Sequence, residues 1–76
     1  MLKELVEYMA KGLVDHPDQV QVTERETPRT IVVRLKVAPE DMGRVIGKDG
    51  RVANAMRTLL RVTSVKHGKQ TDLRIG

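Results

Sequence analysis

The sequence has no cysteine, no tryptophan and no phenylalanine, and Tyr8 is its one aromatic residue. Without cysteine there is neither a disulfide framework nor a thiolate metal site. Without aromatics the core has to be aliphatic, and the stacking platforms by which RRM and many OB-fold proteins hold bases are excluded. Long apolar runs are missing too. None approaches the ~20 residues that cross a bilayer, and no signal-peptide pattern follows Met1, so the cytoplasm is the expected address. Histidine is sparse: His16 and His67 lie far apart, neither with a ligand-like neighbour at a metal spacing, and both are expected to be exposed loop residues. No metal site and no cofactor is expected.

What is present describes a small charged globule. The 76 residues are 39% hydrophobic and 32% charged, which suits one folded domain over residues 1–76, near the lower limit for a chain that folds alone. The net charge of +4 is unevenly spread. Residues 1–43 carry six Lys/Arg and eight Asp/Glu, a balance of −2, whereas residues 44–76 carry eight and two, a balance of +6. One-sided basicity of this kind suits a polyanionic partner.

Periodicity divides the chain into elements. Leu2, Leu5, Val6, Met9, Ala10, Leu13 and Val14 form one helical stripe, with Lys3, Glu4, Glu7, Tyr8 and Lys11 turned away, and Asp15-His16-Pro17-Asp18 ends it. Val20 and Val22 alternate with polar residues, and Ile31, Val33, Leu35 and Val37 alternate more fully, as two half-buried strands do. Thr27-Pro28-Arg29 is the hairpin connection between them. Pro39 suits the first turn of a helix, where Glu40 and Asp41 meet the positive end of its dipole. Met42, Val45 and Ile46 follow at helical spacing. Val52, Ala55, Met56, Leu59 and Leu60 make a second amphipathic stripe, which fades near Thr63-Ser64. Residues 64–70, with Lys66, His67, Gly68 and Lys69, read as a basic loop, and Leu73 and Ile75 as a short last strand.

Between the two later helices lies Ile46-Gly47-Lys48-Asp49-Gly50-Arg51. Gly47 suits a left-handed stop to the first helix, because it has no Cβ to clash there. Gly50 opens the second helix, whose first amides are unpaired and whose dipole end is positive. A short loop with little side-chain bulk, aimed at a helix start and carrying Lys48, lets an anionic backbone come close.

Ile46-Gly47-Lys48-Asp49-Gly50, followed by the helix through Met56 and Arg57, resembles the GXXG signature of KH domains. That resemblance implies a loop that clamps the backbone of about four single-stranded nucleotides beside a groove that reads bases. The element order helix, strand, strand, helix, loop, helix, strand matches the type II KH arrangement. This is an α+β fold, in which a three-stranded mixed sheet has helices packed on one face. The resemblance spans the whole chain, and Leu5-Val6-Glu7-Tyr8 with Leu13-Val14-Asp15-His16-Pro17 look like the front of the small stand-alone bacterial KH proteins of the KhpA type. It implies a partner in single-stranded RNA, work as an RNA chaperone or post-transcriptional regulator, and a heteromer with a KhpB (Jag) type KH protein. A homodimer is the other expected assembly, since so small a domain buries only about 60% of its unfolded surface.

The candidate RNA-binding residues are Arg44, Ile46, Gly47, Lys48, Asp49, Gly50, Arg51, Asn54 and Arg57. Two depart from the family pattern. Asp49 makes the loop tip formally neutral, which shifts weight to backbone amides and to Arg44, Arg51 and Arg57. Asn54 stands where related sequences often carry a basic residue; it bonds a base or sugar, or faces water as exposed polar residues usually do. Base contact rests on aliphatic side chains such as Ile46 and Val52, of which Val52 is the more expected in the core.

Other chemistry finds no support. Gly43 to Asp49 resembles a P-loop, but one residue is missing between the glycines and no Ser/Thr follows Lys48 to hold Mg²⁺. The same segment contains G-x-x-x-G, which Arg44 and its charged surroundings disqualify as a membrane seam. Glu24 and Glu26 share a strand face, where a solvated edge explains them and no nucleophile is at hand. No enzyme is expected. Three roles fit the sequence: a single-stranded RNA-binding module, a KH-fold adaptor that mainly pairs with a protein, and a ribosome-assembly factor.

Overall fold

A computed structural model describes residues 2–65 and 68–76. Helix α1 (Leu2–Leu13) leads through a 3-10 turn at Pro17–Gln19 into strands β1 (Gln21–Glu26) and β2 (Thr30–Lys36). A second 3-10 turn, Pro39–Asp41, precedes the five-residue helix α2 (Met42–Ile46). A third, Lys48–Gly50, precedes helix α3 (Arg51–Val65), and strand β3 (Gln70–Ile75) ends the order.

The sheet runs β1-β2-β3. Strands β1 and β2 are antiparallel, from Gln21 opposite Lys36 to Glu26 opposite Ile31. Their tight connection is the Thr27-Pro28-Arg29 turn: the Thr27 amide donates to the Thr30 carbonyl at 2.8 Å and the Thr30 amide to the Thr27 hydroxyl at 3.0 Å. Strands β2 and β3 are parallel, from Thr30 beside Gln70 to Leu35 beside Ile75, and a parallel pair requires a long crossover. Residues 37–69, with both later helices, supply it. This is the mixed three-stranded α+β architecture expected of a type II KH domain.

Alternation along the strands decides which face is covered. Val22, Ile31, Val33, Leu35 and Leu73 point inward against Leu2, Val6, Ala10, Val45, Met56 and Leu60, and all are buried. Thr23, Arg25, Arg34, Lys36 and Arg74 point the other way and are exposed. The core is aliphatic with one methionine, as the lack of aromatics required.

Two helical stripes are wider than the surface the sheet can cover. Leu13 stays 38% exposed at the end of α1. On α3 the buried residues are Ala53, Met56, Leu60 and Ser64, so Ala55 and Leu59, expected inside, lie on the helix flank instead. Helix α3 also continues past Thr63-Ser64 to Val65, and the Ser64 hydroxyl, buried there, is satisfied by donating to the Arg61 carbonyl at 3.0 Å. Of the expected basic loop, Lys66 and His67 lie outside the described residues, and Lys69 pairs with Glu26 on β1.

One buried charge holds the layers together. Asp41 is 1% exposed, and its two carboxylate oxygens accept the backbone N–H groups of Asp15, at 3.1 Å, and His16, at 3.0 Å. A carboxylate is tolerated in such a place only when bonded in this way. Asp41 thus ties the end of α1 to the start of α2, a role that its place beside a helix start did not reveal. Glu24 does a similar task at the sheet edge, accepting the Lys3 amide in the first turn of α1 at 2.9 Å.

Candidate nucleic-acid interface

The loop from Gly47 to Gly50 is built by three residues with positive φ in four positions. Gly47 sits at φ 76°, ψ 172°, Asp49 at φ 57°, ψ 24°, and Gly50 at φ 75°. Gly47 therefore has the positive φ expected of it, with an extended ψ in place of the left-handed helical stop. Its amide still closes α2 by donating to the Gly43 carbonyl at 2.8 Å. Glycine is required there twice over. Apart from the strained backbone, a Cβ on Gly47 would meet Val52 Cγ2 at 2.5 Å and the Val52 amide nitrogen at 2.9 Å. Gly50 is needed for conformation alone, since a Cβ there would find only the Asn54 amide nitrogen, at 3.7 Å.

The same geometry accounts for Asp49. Aspartate and asparagine enter the left-handed region more readily than other side-chain-bearing residues. The acidic residue at the tip is thus a backbone choice, and its charge is incidental to the turn. Lys48 and Asp49 are exposed, and among the described residues Lys48 has no ion-pair partner. The loop leads directly into the first turn of α3, whose positive dipole end faces it.

The other candidate residues separate into groups. Arg51 is exposed at the first position of α3. Asn54, Arg57 and Arg61 follow along one flank of the helix at spacings of three and four. The Arg57 guanidinium donates to the Asn54 side-chain oxygen at 3.3 Å and to the Leu73 carbonyl on β3 at 3.4 Å. Because β3 is an edge strand of the sheet, Arg57 ties the flank of α3 to that edge. Ile46, 37% exposed, ends α2 just before the loop, while Val52 is half-buried behind Gly47. Arg44 stands apart: its guanidinium meets the Asp15 carboxylate at 3.0 Å, and Asp41 at 4.0 Å. Its charge is already balanced within the protein.

A site that periodicity had hidden lies on the opposite flank of α3. Tyr8, Met9 and Leu13 of α1 and Val52, Ala55, Met56 and Leu59 of α3 line an open apolar groove. Tyr8 is 80% and Leu59 49% exposed. The signal was the breadth of apolar positions on α3, which Val62 and Val65, both exposed, extend beyond any single buried arc.

The model of the KhpA/KhpB KH domain matches residues 3–75. The chain belongs to this KH-domain family. Among its relatives is the RNA-binding protein KhpA of Clostridium acetobutylicum, 51% identical over 97% of this chain and 99% of that protein. The proteins of the same name from Aquifex aeolicus and Listeria monocytogenes are 50% and 46% identical, again over 97% of this chain, and over 94% and 97% of those proteins. Among solved structures, Aquifex aeolicus Era bound to GDP and AlF4⁻ superposes on 97% of the chain with a TM-score of 0.63 at 20% identity. Era in complex with MgGDPNP and nucleotides 1506–1542 of 16S ribosomal RNA gives 0.64, also at 20% identity. The KH chain spans 29% and 28% of those proteins, so the likeness concerns the fold. No helix among the described residues is long and apolar enough to cross a membrane.

Proposed function

We propose that this chain, acting as one KH unit over residues 1–76, binds single-stranded RNA in the cytoplasm as a chaperone or post-transcriptional regulator. The observation that carries the reading is the Gly47–Gly50 loop, turned through positive φ at Gly47, Asp49 and Gly50 and leading into the start of α3. Its backbone and Lys48 take phosphates, Arg51 adds charge, and the flank of Asn54 and Arg57 borders the bases along β3. The relatives named RNA-binding protein KhpA support the choice of ligand. About four nucleotides at one loop neutralise roughly two to four phosphates, so log K should fall with log salt at a slope of roughly −1.5 to −3.

Lys48→Asp tests this directly. The side chain is exposed, so the unfolding curve should stay within about 0.5 kcal/mol of the parent. RNA titration should show a loss of about tenfold or more, because attraction becomes repulsion beside a line of phosphates. A variant that folds and binds RNA like the parent would remove the loop from the function.

A second reading is favoured by the apolar groove between α1 and α3: the protein pairs there with a second KH domain, in the first instance another copy of itself. Two loops in one assembly would raise effective affinity without a new contact. Sedimentation over a wide concentration range separates the outcomes. A strict monomer would leave a KhpB (Jag) type partner as the occupant.

A further inference from the structure

The face of the sheet that no helix covers carries a charge pattern that folding does not explain. Strand alternation puts Gln21, Thr23, Arg25, Val32, Arg34, Lys36, Asp72 and Arg74 on it, against the buried Val22, Val33, Leu35 and Leu73. In the register, Thr23, Arg34 and Arg74 lie side by side across all three strands. Like charges directly opposite on neighbouring strands destabilise a sheet, and here Arg34 faces Arg74. Lys36, two residues along β2 from Arg34, and Arg25, diagonal to it on β1, extend the cluster. Asp72, the carboxylate of this face, already pairs with Arg74 at 3.1 Å. Among the described residues Arg25, Arg34 and Lys36 have no ion-pair partner.

We propose that this open face is a second RNA surface, on which Arg34 and Arg74, flanked by Arg25 and Lys36, hold the phosphate backbone of a strand that continues past the loop. The proposal rests on the RNA-binding reading above and assigns a second place to the same ligand. Two shallow depressions on the face both include Thr23, Arg34 and Arg74, so the guanidinium groups border concave surface. Guanidinium and hydroxyl groups suit phosphate oxygens, to which Arg donates two parallel hydrogen bonds. An anion laid over the cluster relieves the Arg34–Arg74 repulsion, which Asp72 offsets only on the Arg74 side. The face offers no ring for stacking, so its contacts go to the backbone and are indifferent to sequence. It is also continuous with the first site. Arg57 reaches the Leu73 carbonyl from the helix side, and Arg74 is the next residue of β3, directed to the other side. The outer edge of one strand separates the two surfaces.

The test compares unstructured oligouridylates of five and fifteen nucleotides, bound to the parent, to Lys48→Asp and to the double variant Arg34→Gln with Arg74→Gln. The five-nucleotide RNA is sized to the loop alone, and the longer one to both surfaces. The parent should bind the longer RNA at least tenfold more tightly. The double variant should bind the short RNA as the parent does, lose most of that gain, and show a salt slope for the longer RNA shallower by about 1.4, two phosphates at about 0.7 each. It should unfold within a few degrees of the parent in low salt, since the Arg34–Arg74 repulsion and the exposed Asp72–Arg74 ion pair are lost together. If it proves unstable, Arg25→Gln with Lys36→Gln probes the same face without touching the Arg34–Arg74 pair. The proposal is overturned if the folded variants bind fifteen nucleotides with the parent's affinity and slope, or lose short and long RNA equally. It is also overturned if polyglutamate binds the parent, fails to bind the double variant, and RNA binding is unchanged, which would assign the face to an acidic protein. Lys48→Asp keeps the two readings distinct. If that variant binds both RNAs normally the loop reading fails, while the open face still stands or falls on its own arginines.

Discussion

The two flanks of α3 belong to one helix and share one buried arc, yet they present opposite chemistry. On the side toward β3 stand Asn54, Arg57 and Arg61, a polar row that begins at the loop. On the side toward α1 stand Val52, Ala55 and Leu59, an apolar row that lines a groove with Tyr8 and Leu13. At about 100° per residue the two rows lie on opposite sides of the buried residues Met56 and Leu60, so a ligand on one leaves the other free. The difference gives one helix two chemically distinct surfaces, one polar and one apolar. What joins the flanks is Gly47, whose packing against Val52 fixes the loop to the same helix turn.

Breaking that junction should have the largest effect. Gly47→Ala sets a Cβ against Val52 at a backbone angle that L residues rarely adopt, and strain and overpacking together should cost about 2–5 kcal/mol. Urea unfolding reads the loss. Gly50→Ala is the control: it meets no clash and should cost about 1–2 kcal/mol. Equal losses at both glycines would mean that Val52 does not fix the loop.

A smaller effect should divide the flanks from one another. Leu59→Asp puts a charge into the apolar groove of a half-exposed residue. Self-association should weaken by about tenfold or more, about 1.4 kcal/mol, while the affinity of each loop for a five-nucleotide RNA stays unchanged. Sedimentation and a fluorescence titration on the same sample give both values. A dimer that persists would move pairing off this helix.

The smallest effect sharpens the polar side. Arg44 sits near the loop in sequence, but its charge is engaged by Asp15 and Asp41. Arg44→Ala should leave RNA affinity within about twofold and change stability by about 0.5 kcal/mol, as exposed ion pairs do. Arg51→Ala, at the exposed start of α3, should lower affinity more and reduce the salt slope by about 0.7. If the order is reversed, Arg44 leaves its carboxylates when RNA arrives.

The contrast between Arg44 and Lys48 also explains what could be read from the chain beforehand. Local patterns carried the fold: strand alternation at Ile31–Val37, the Thr27-Pro28-Arg29 turn and the paired glycines each follow from neighbours in sequence. The ion pair of Arg44 was not legible, because its partner Asp15 is remote in the chain and next to it only in the folded protein. Asp41 was legible as a residue for a helix start, but its two backbone donors come from the turn that follows α1. The α3 stripe failed for another reason. Periodicity reports that a face is apolar, and it is silent on whether the sheet is broad enough to cover it. Asp49 shows the converse, since a residue that looked like an electrostatic misfit is explained by the φ of its own backbone.

Tyr8 gives the molecule a built-in optical label. With no tryptophan to mask it or drain its excitation, this lone ring is the whole of the intrinsic fluorescence. It lies in the apolar groove with Leu59, on the side of α3 away from Arg57 and the loop. Its emission therefore responds to a protein that settles into that groove. An RNA strand placed along β3 as proposed would leave the ring in water, so a change in tyrosine emission would distinguish the two encounters in an unlabelled sample.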